Sequence, residues 1–518
     1  MSKSIDSTLV SDGGSLYQAE GKIYAREIRG RLDNLRRLAV VVLLGMYYLF
    51  PWLGWDGRQA VLFDLPARKF YVFGLAFWPQ DFIFLALLLI VAGLALFFFT
   101  ALAGRLWCGY ACPQTVWTEV FLWMETWTEG DRARRMKLDA GPWTREKWLR
   151  KGSKHVLWFT FALWTGFTFV GFFTPIRDLG ARLVPFDWGG WETFWVLFYA
   201  FATWGNAGVL REQVCKYMCP YARFQGAMFD RDTLIIAYDP MRGEPRGSRK
   251  RGLGSVLARG RDLLSLEAAE RWLLQARLRP SAADARVEAR RTTGEFDTAA
   301  EALEPLPAPT AAELGDCIDC TLCVQVCPTG IDIRNGLQYE CIACGACIDA
   351  CDQVMDKLEY PRGLIRYTTQ NALDGKRTRV LRPRIWVYGL LLLTLLLGWG
   401  WGVTHRATLI VEVLRDRNAL YRVTATGSIE NGYTLKVVNK ADSPRRFRVS
   451  LEESGPVRLR DGTFDVEAGA ESVLNQPLTL VAPAGGVSGR RELRIVVETL
   501  SEPVTSARVE TAFFGPAP

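Results

Sequence analysis

Five stretches of this chain are apolar over lengths close to the ~20 residues that a helix needs to cross a bilayer: Leu38 to Gly54, Phe82 to Gly104, Val156 to Phe173, Thr193 to Leu210 and Ile385 to Trp401. None holds an Asp, Glu, Lys, Arg or His. That sets them apart from proton pumps and ion-coupled transporters, which carry their chemistry on intramembrane ionisable groups. The first starts only after residue 37, with no small-residue cleavage site behind a short apolar core, which reads as an uncleaved anchor. Beyond the last stretch the period changes. Tyr433 to Asn439 and Arg445 to Leu451 alternate apolar with polar and are separated by Gly, Asn, Asp and Pro, which predicts an immunoglobulin-like β-sandwich. Met241 to Gly315 is rich in Arg, Ala, Glu and Pro and reads as a charged, partly helical connector.

Composition and charge refine this picture. The 518 residues are 49% apolar and 23% charged, which excludes a disordered chain, and the long apolar runs exclude an ordinary soluble enzyme. The net charge of +8 comes without a basic stripe interleaved with aromatics, so no nucleic-acid partner is expected. Lys and Arg instead concentrate in alternate flanks: seven before the first span, ten from Arg105 to Lys154 and five from Lys376 to Arg384, against five in 55–80 and 174–190 together. The positive-inside bias then places the N-terminus and the 211–384 segment in the cytoplasm and the tail outside, in the periplasm of a two-membrane bacterium. Tryptophans near helix ends, such as Trp107, Trp191, Trp399 and Trp401, fit interfacial anchors.

The 12 cysteines fall into four short clusters, a metal or redox pattern rather than the scatter of a disulfide scaffold. One constellation is Cys317-x2-Cys320-x2-Cys323-x3-Cys327-Pro328, followed by Cys341-x2-Cys344-x2-Cys347-x3-Cys351. A cubane needs four converging thiolates; the tight CxxCxxC turn gives three and the other run returns the fourth. That rule assigns Cys317, Cys320, Cys323 and Cys351 to one 4Fe–4S cluster, and Cys341, Cys344, Cys347 and Cys327 to a second. Residues 316–352 closely resemble bacterial two-cluster ferredoxins, except that Asp352 stands where the second run would usually carry proline. A pair of structural zinc sites is the bland alternative.

The other constellation is an internal repeat. A hairpin ending in Cys108-Gly-Tyr110-Ala-Cys112-Pro113 recurs as one ending in Cys215-Lys-Tyr217-Met218-Cys219-Pro220. On a helix, residues four apart share a face, so Cys108 with Cys112, and Cys215 with Cys219, are candidates to bind a soft metal such as Cu(I) or to exchange electrons. Inert buried cysteines at helix ends are the competing reading. No CxxCH, Walker A or dinucleotide fingerprint is present, and the two histidines, His155 and His405, lie at opposite predicted faces, so no haem or nucleotide of the chain's own is expected.

Taken in order, the CxxxCP hairpins, Gly243-Glu-Pro-Arg246, Asp316-Cys-Ile-Asp-Cys320, Cys327-Pro-Thr-Gly-Ile-Asp-Ile333, the Cys341 to Asp352 run with Val354-Met355, Gly363-Leu-Ile-Arg-Tyr367, a last helix and an Ig-like tail resemble the cytochrome c oxidase accessory protein family, CcoG/RdxA/FixG. The fold class expected is a multidomain membrane protein with five transmembrane α-helices, an inserted bacterial-type ferredoxin domain holding two 4Fe–4S clusters, and a C-terminal Ig-like β-sandwich. Its expected parts are a cytoplasmic arm (1–37), a four-helix membrane domain (38–240), the connector (241–315), the ferredoxin domain (316–375), a fifth helix (376–404) and the periplasmic domain (405–518).

The resemblance implies a bacterial inner-membrane factor in the biogenesis of the cbb-type cytochrome c oxidase. It would reduce Cu(II) to Cu(I) at Cys108, Cys112, Cys215 and Cys219 and hand copper to an exporter, a chaperone or other oxidase assembly factors. Copper is then substrate or transient ligand. The electron donor and oligomeric state stay open, a homo-oligomer included. Two other classes stay open as well: a quinol-linked electron conduit, and a non-enzymatic scaffold whose outer sandwich docks an oxidase subunit.

Overall fold

The computed structural model describes residues 22–185, 187–247, 314–417, 419–452, 455–501 and 504–516. Most of the N-terminal arm and of the 241–315 connector therefore lies outside the described residues. The chain divides into two units, residues 1–395 and 396–518, with the division inside the last helix.

In the first unit, α1 (Arg31–Leu49) leads into two short antiparallel pairings, β1 (Gly54–Trp55) with β2 (Arg58–Gln59), and β3 (Val61–Asp64), β4 (Lys69–Val72) and β5 (Leu75–Phe77). Helix α2 (Phe82–Ala103) follows, then α3 (Leu106–Tyr110), α4 (Pro113–Glu129), α5 (Arg132–Ala140), α6 (Arg145–Val170), α7 (Ile176–Ala181) and α8 (Gly190–Thr203). Helix α8 continues into π-helical turns at Trp204–Leu210, a second set spans Val214–Met218, and α9 (Pro220–Met228) closes the helical layer. Phe121, Trp158, Ala162, Ala200 and Ala207 interlock α4, α6, α8 and the first π turns, and the Trp158 indole donates to the Phe121 carbonyl at 3.0 Å.

Among the described residues, three helical stretches are long and apolar enough to span a membrane: Arg31–Trp52, Pro79–Ala103 and Pro383–Thr404. Three of the five expected spans thus meet the length and composition of a membrane helix. The other two sequence stretches are helical, but α6 spends its first half on Arg145 to His155, with Lys147 and Lys154 buried against neighbours. Helix α8 has only 14 residues before the π turns. The 105–154 segment, counted above as a basic flank, is a packed helical layer in which Glu125 and Glu129 pair with Arg135, Lys151 and Lys154.

Strand β6 (Ile235–Tyr238) and the turn α10 (Pro240–Gly243) lead toward the cysteine-rich part, which holds α11 (Leu322–Gln325), α12 (Ala346–Leu358), β7 (Ile365–Thr368) and α13 (Gln370–Leu373). Strands β6 and β7 pair antiparallel, Ile235 opposite Thr368 and Tyr238 opposite Ile365. Residues 235–247 thus belong with the ferredoxin module: Ile236 and Tyr238 share its core with Met355, Leu364 and Ile365, and the Gly247 N–H donates to the Cys317 carbonyl. Helix α12 runs on past Cys351 because Asp352, unlike proline, leaves the backbone ladder intact. The Asp352 carboxylate also accepts from the Gly363 N–H at 2.9 Å. Helix α14 (Pro383–Thr404) crosses the division between the units.

The second unit is a sandwich of β8 (Leu409–Arg415), β9 (Arg422–Val423), β10 (Ile429–Asn439), β11 (Arg445–Leu451), β12 (Arg458–Leu459), β13 (Phe464–Ala468), β14 (Ser472–Ala482), β15 (Arg490–Thr499) and β16 (Ser506–Phe514). One sheet orders β12-β14-β10-β8 with β9 added to β10, the other β13-β11-β15-β16. Alternate residues of β10, from Ile429 to Val437, point into a core with Phe447, Leu480, Ile495 and Phe513, as the alternation predicts.

Candidate iron–sulfur and thiol centre

The two CxxC loops share one backbone device. Asp319 and Thr321 in the first, Ala343 and Gly345 in the second, adopt left-handed conformations (φ 53°, 56°, 54° and 77°) around Cys320 and Cys344. For non-glycine residues this costs about 1–2 kcal/mol each, and such strain gathers at functional loops. It curls each loop inward. The third cysteines, Cys323 and Cys347, sit in the first turns of α11 and α12, and Cys351 lies one turn further along α12.

The result is two cavities. One of about 360 Å³ is lined by Cys317, Cys320, Cys323 and Cys351, together with Tyr238 and Arg334. The other, about 340 Å³, is lined by Cys327, Cys341, Cys344 and Cys347, with Cys323 on its edge. Burial raises the thiols of Cys323 to about 11 and of Cys341 and Cys351 to about 12. As free thiols they would stay neutral. Bonded to an iron core they would be thiolates outright, so the donor set and the apolar walls fit inorganic clusters.

The CxxxCP cysteines gather beside the second cavity, though not as helical faces predict. Cys112 and Cys219 are extended (ψ 129° and 109°) and stand at the N-caps of α4 and α9, with Pro113 and Pro220 at the first helical positions. A residue before proline is driven out of the helical region, so each motif is broken at its second cysteine. Cys108 and Cys215 occupy the preceding turns. The four thiols come from two hairpins yet interact electrostatically: Cys108 with Cys112 and Cys219, and Cys215 with all three others. Burial, reinforced by these neighbours, pushes Cys108 up to about 11 and Cys215 to about 12. The Cys108 thiol donates to the Gln225 Oε1 at 3.4 Å. Met218, next to Cys219 in the chain, is exposed. Among the described residues, no three of His, Cys, Asp and Glu converge on a single ion.

Contact with the ferredoxin loops is direct. A Cβ at Gly109 would sit 2.8 Å from the Ala343 carbonyl oxygen and 2.9 Å from that of Ile342, so only glycine lets α3 lie on the second CxxC loop. The Tyr367 hydroxyl donates to the Ala343 carbonyl at 2.7 Å and meets the Tyr110 hydroxyl at 3.3 Å. The Asp349 carboxylate, on α12, accepts from the N–H groups of Leu32 and Asp33 at 3.2 and 2.8 Å, capping α1. A further cavity of about 610 Å³ is lined by Cys215, Glu212, Arg211, Arg36 and Glu119 on the helical side and by Thr329 from the wall of the second cavity.

Sequence reasoning missed the charges that brace this junction. Glu125 is fully buried and pairs with Arg135 at 3.1 Å, Arg211 at 2.8 Å and Lys154 at 3.6 Å, while Glu129 binds Lys154 at 2.8 Å and Lys151 at 2.9 Å. Burial opposes ionisation of Glu125, but Arg211, Lys154, Lys22 and Arg135 outweigh it and bring the carboxyl down to about 2. The internal repeat carried one signal: an arginine precedes each motif, at Arg105 and at Arg211.

A membrane-associated helical domain, a module with two cysteine-lined cavities and four neighbouring thiols define a membrane-anchored iron–sulfur redox protein. Comparisons with known proteins agree. Residues 210–263 and 284–370 match a family model described as a 4Fe–4S dicluster domain, residues 84–135 a 4Fe–4S binding domain, and residues 399–516 an Ig-like fold at the C-terminus of FixG. The nitrogen fixation protein FixG of Rhizobium meliloti is 37% identical over 484 residues, covering 86% of this chain and 82% of that one. Protein RdxA of Cereibacter sphaeroides is 36% identical over 531 residues, 96% and 98% of the two chains. A solved FixG-related protein from Vibrio parahaemolyticus aligns with 21% of this chain and 96% of its own at 28% identity and a TM-score of 0.19. The chain belongs to the FixG/RdxA/RdxB family.

Proposed function

We propose that the protein takes electrons at the ferredoxin module and delivers them, one at a time, to copper at the CxxxCP thiols, reducing Cu(II) to Cu(I) for assembly of a cbb-type oxidase. The observation that carries this reading is the seating of α3, through Gly109 next to Cys108, against the Cys341–Cys344 loop. In this reading Cys317, Cys320, Cys323 and Cys351 hold one cubane and Cys341, Cys344, Cys347 and Cys327 the other. When bound, the clusters supply reversible one-electron storage. Exposed Cys320 marks the side at which a low-potential one-electron carrier docks. Cys215 opens onto the 610 Å³ cavity, which gives copper a route to the thiols. Thiolates bind Cu(I) in preference to harder ions, so Cys108, Cys112, Cys215 and Cys219 favour the reduced product. The Lys/Arg distribution supports a cytoplasmic face for both cysteine sets and an inner-membrane location, with the Ig-like unit in the periplasm.

The test uses anaerobically purified, pre-reduced full-length protein, Cu(II) and a Cu(I)-specific chelator. Replacing the four CxxxCP cysteines by serine should keep the iron content and abolish Cu(I) formation; unchanged Cu(I) formation overturns the site assignment. One observation favours a second reading: the 4Fe–4S binding model over 84–135 spans Cys108 and Cys112. If the four thiols hold a third cluster, the serine variant loses iron.

A further inference from the structure

Each cysteine-lined cavity has an arginine beside it, and the two arginines differ in one respect. Arg334, at the first cavity, is neutralised: its guanidinium pairs with the Asp332 carboxylate at 2.7 Å and with Asp319. Arg105, at the second, is 5% exposed and makes no ion pair among the described residues. Its Nη1 donates to the Cys341 carbonyl at 3.2 Å, its Nη2 to the Ala222 carbonyl, and its Nε has no partner. The Phe229 ring lies 5.9 Å away. The groups that act on it electrostatically are Cys108, Cys341 of the cluster loop, the Glu340 carboxylate, which forms no ion pair with it among the described residues, and Cys219. The other guanidinium near this cavity, that of Arg36, is spent on Asp33 at 2.8 Å and Glu119 at 3.4 Å.

A guanidinium does not lose its proton in a protein, and a buried unpaired cation is costly unless a countercharge is near. Neutral thiols do not provide one. A cubane held by four thiolates does, because it is a net anion that gains one more negative charge on reduction. We propose that Arg105 is the counter-cation of the second cluster. It is a positioning residue that ties the Cys341 loop to α9, the helix that follows Cys219, and raises the reduction potential of the second cluster above that of the first. Electrons then settle beside the CxxxCP thiols. This rests on the cluster assignment but not on copper, so the two fail separately.

The test is an EPR-monitored redox titration of the full-length protein. In the wild type, the cluster that reduces first should be the one abolished by Cys344→Ser and retained by Cys320→Ser. In Arg105→Gln, the reduction equilibrium of that cluster should fall tenfold or more, about 59 mV for one electron. Arg105→Lys should recover most of the shift, and Arg334→Gln should leave the second cluster unmoved. If Arg105→Gln loses iron from the second site while Arg105→Lys keeps it, the assignment also holds. The proposal falls if both potentials in Arg105→Gln match wild type, if both move equally, or if the wild-type order is reversed.

Discussion

The two CxxC loops of the ferredoxin module have the same spacing and the same left-handed turns, but different walls. The first cavity is closed by the module's own β6–β7 layer, and its Cys320 is exposed. The second is closed by other parts of the chain: α3 through Gly109, the arm and start of α1 around Ile23 and Gly30, and the buried Arg105. Identical ligand chemistry is thus placed in two different surroundings, and a cluster's potential follows charge, hydrogen bonding and solvent exposure. An edge open to solvent suits electron entry. An interior site held against thiols suits electron exit.

Loss of a ligand should expose this difference most strongly. Cys344→Ser is expected to remove the second cluster and loosen the junction with the helices, seen as lost iron and as new protease sensitivity at 105–112. Cys320→Ser should change only the signal of the first cluster. Equal protease sensitivity in both variants would erase the distinction.

The buried charge cluster of the helical layer comes next. Glu125→Gln leaves Arg135, Arg211 and Lys154 without their shared carboxylate, and breaking a buried pair costs about 3–5 kcal/mol, readable as a lowered Tm in detergent. The sign of the pH dependence is fixed by the same group. Its folded pKa of about 2 lies below its ordinary 4.5, so its contribution is complete above pH 4.5 and is lost as the pH falls toward 2. A Tm of the wild type that drops more steeply over this window than that of Glu125→Gln checks the assignment.

A smaller effect is expected at Asp349. Its replacement by alanine removes the cap of α1 and should cost about 1 kcal/mol, with the iron content kept. The smallest belongs to the Ig-like unit, where Arg448 and Asp465 pair at 2.9 Å on the surface. Asp465→Ala should leave the Tm unchanged, since exposed ion pairs contribute little.

Much of this was legible in the chain because cysteine spacing and strand alternation are local. The eight ferredoxin cysteines, the repeat and the period-two pattern of β10 needed no tertiary knowledge. The helical layer was harder. Hydropathy marked Val156–Phe173 and Thr193–Leu210, but not that α6 would bury Lys147 and Lys154 or that π turns would follow α8. The shared helical face expected for Cys108 and Cys112 failed on Pro113, whose steric effect on the residue before it was present in the motif itself. Gln225, Asp349 and Glu125 were invisible because their meaning lies in partners brought together by the fold, from 86 to more than 300 residues away; Arg105 and Arg211, each just ahead of its motif, offered the one hint.

The central claim is that electrons leave through the second cluster to the four neighbouring thiols. Rapid-freeze EPR after mixing reduced, full-length protein with an equimolar amount of Cu(II) tests it most directly. The account predicts that the Cu(II) signal and the signal of the Cys344-dependent cluster decay together, one electron per copper, and that both persist when the CxxxCP cysteines are serine. Decay of the Cys320-dependent cluster first, or an unchanged rate in the serine variant, would contradict it.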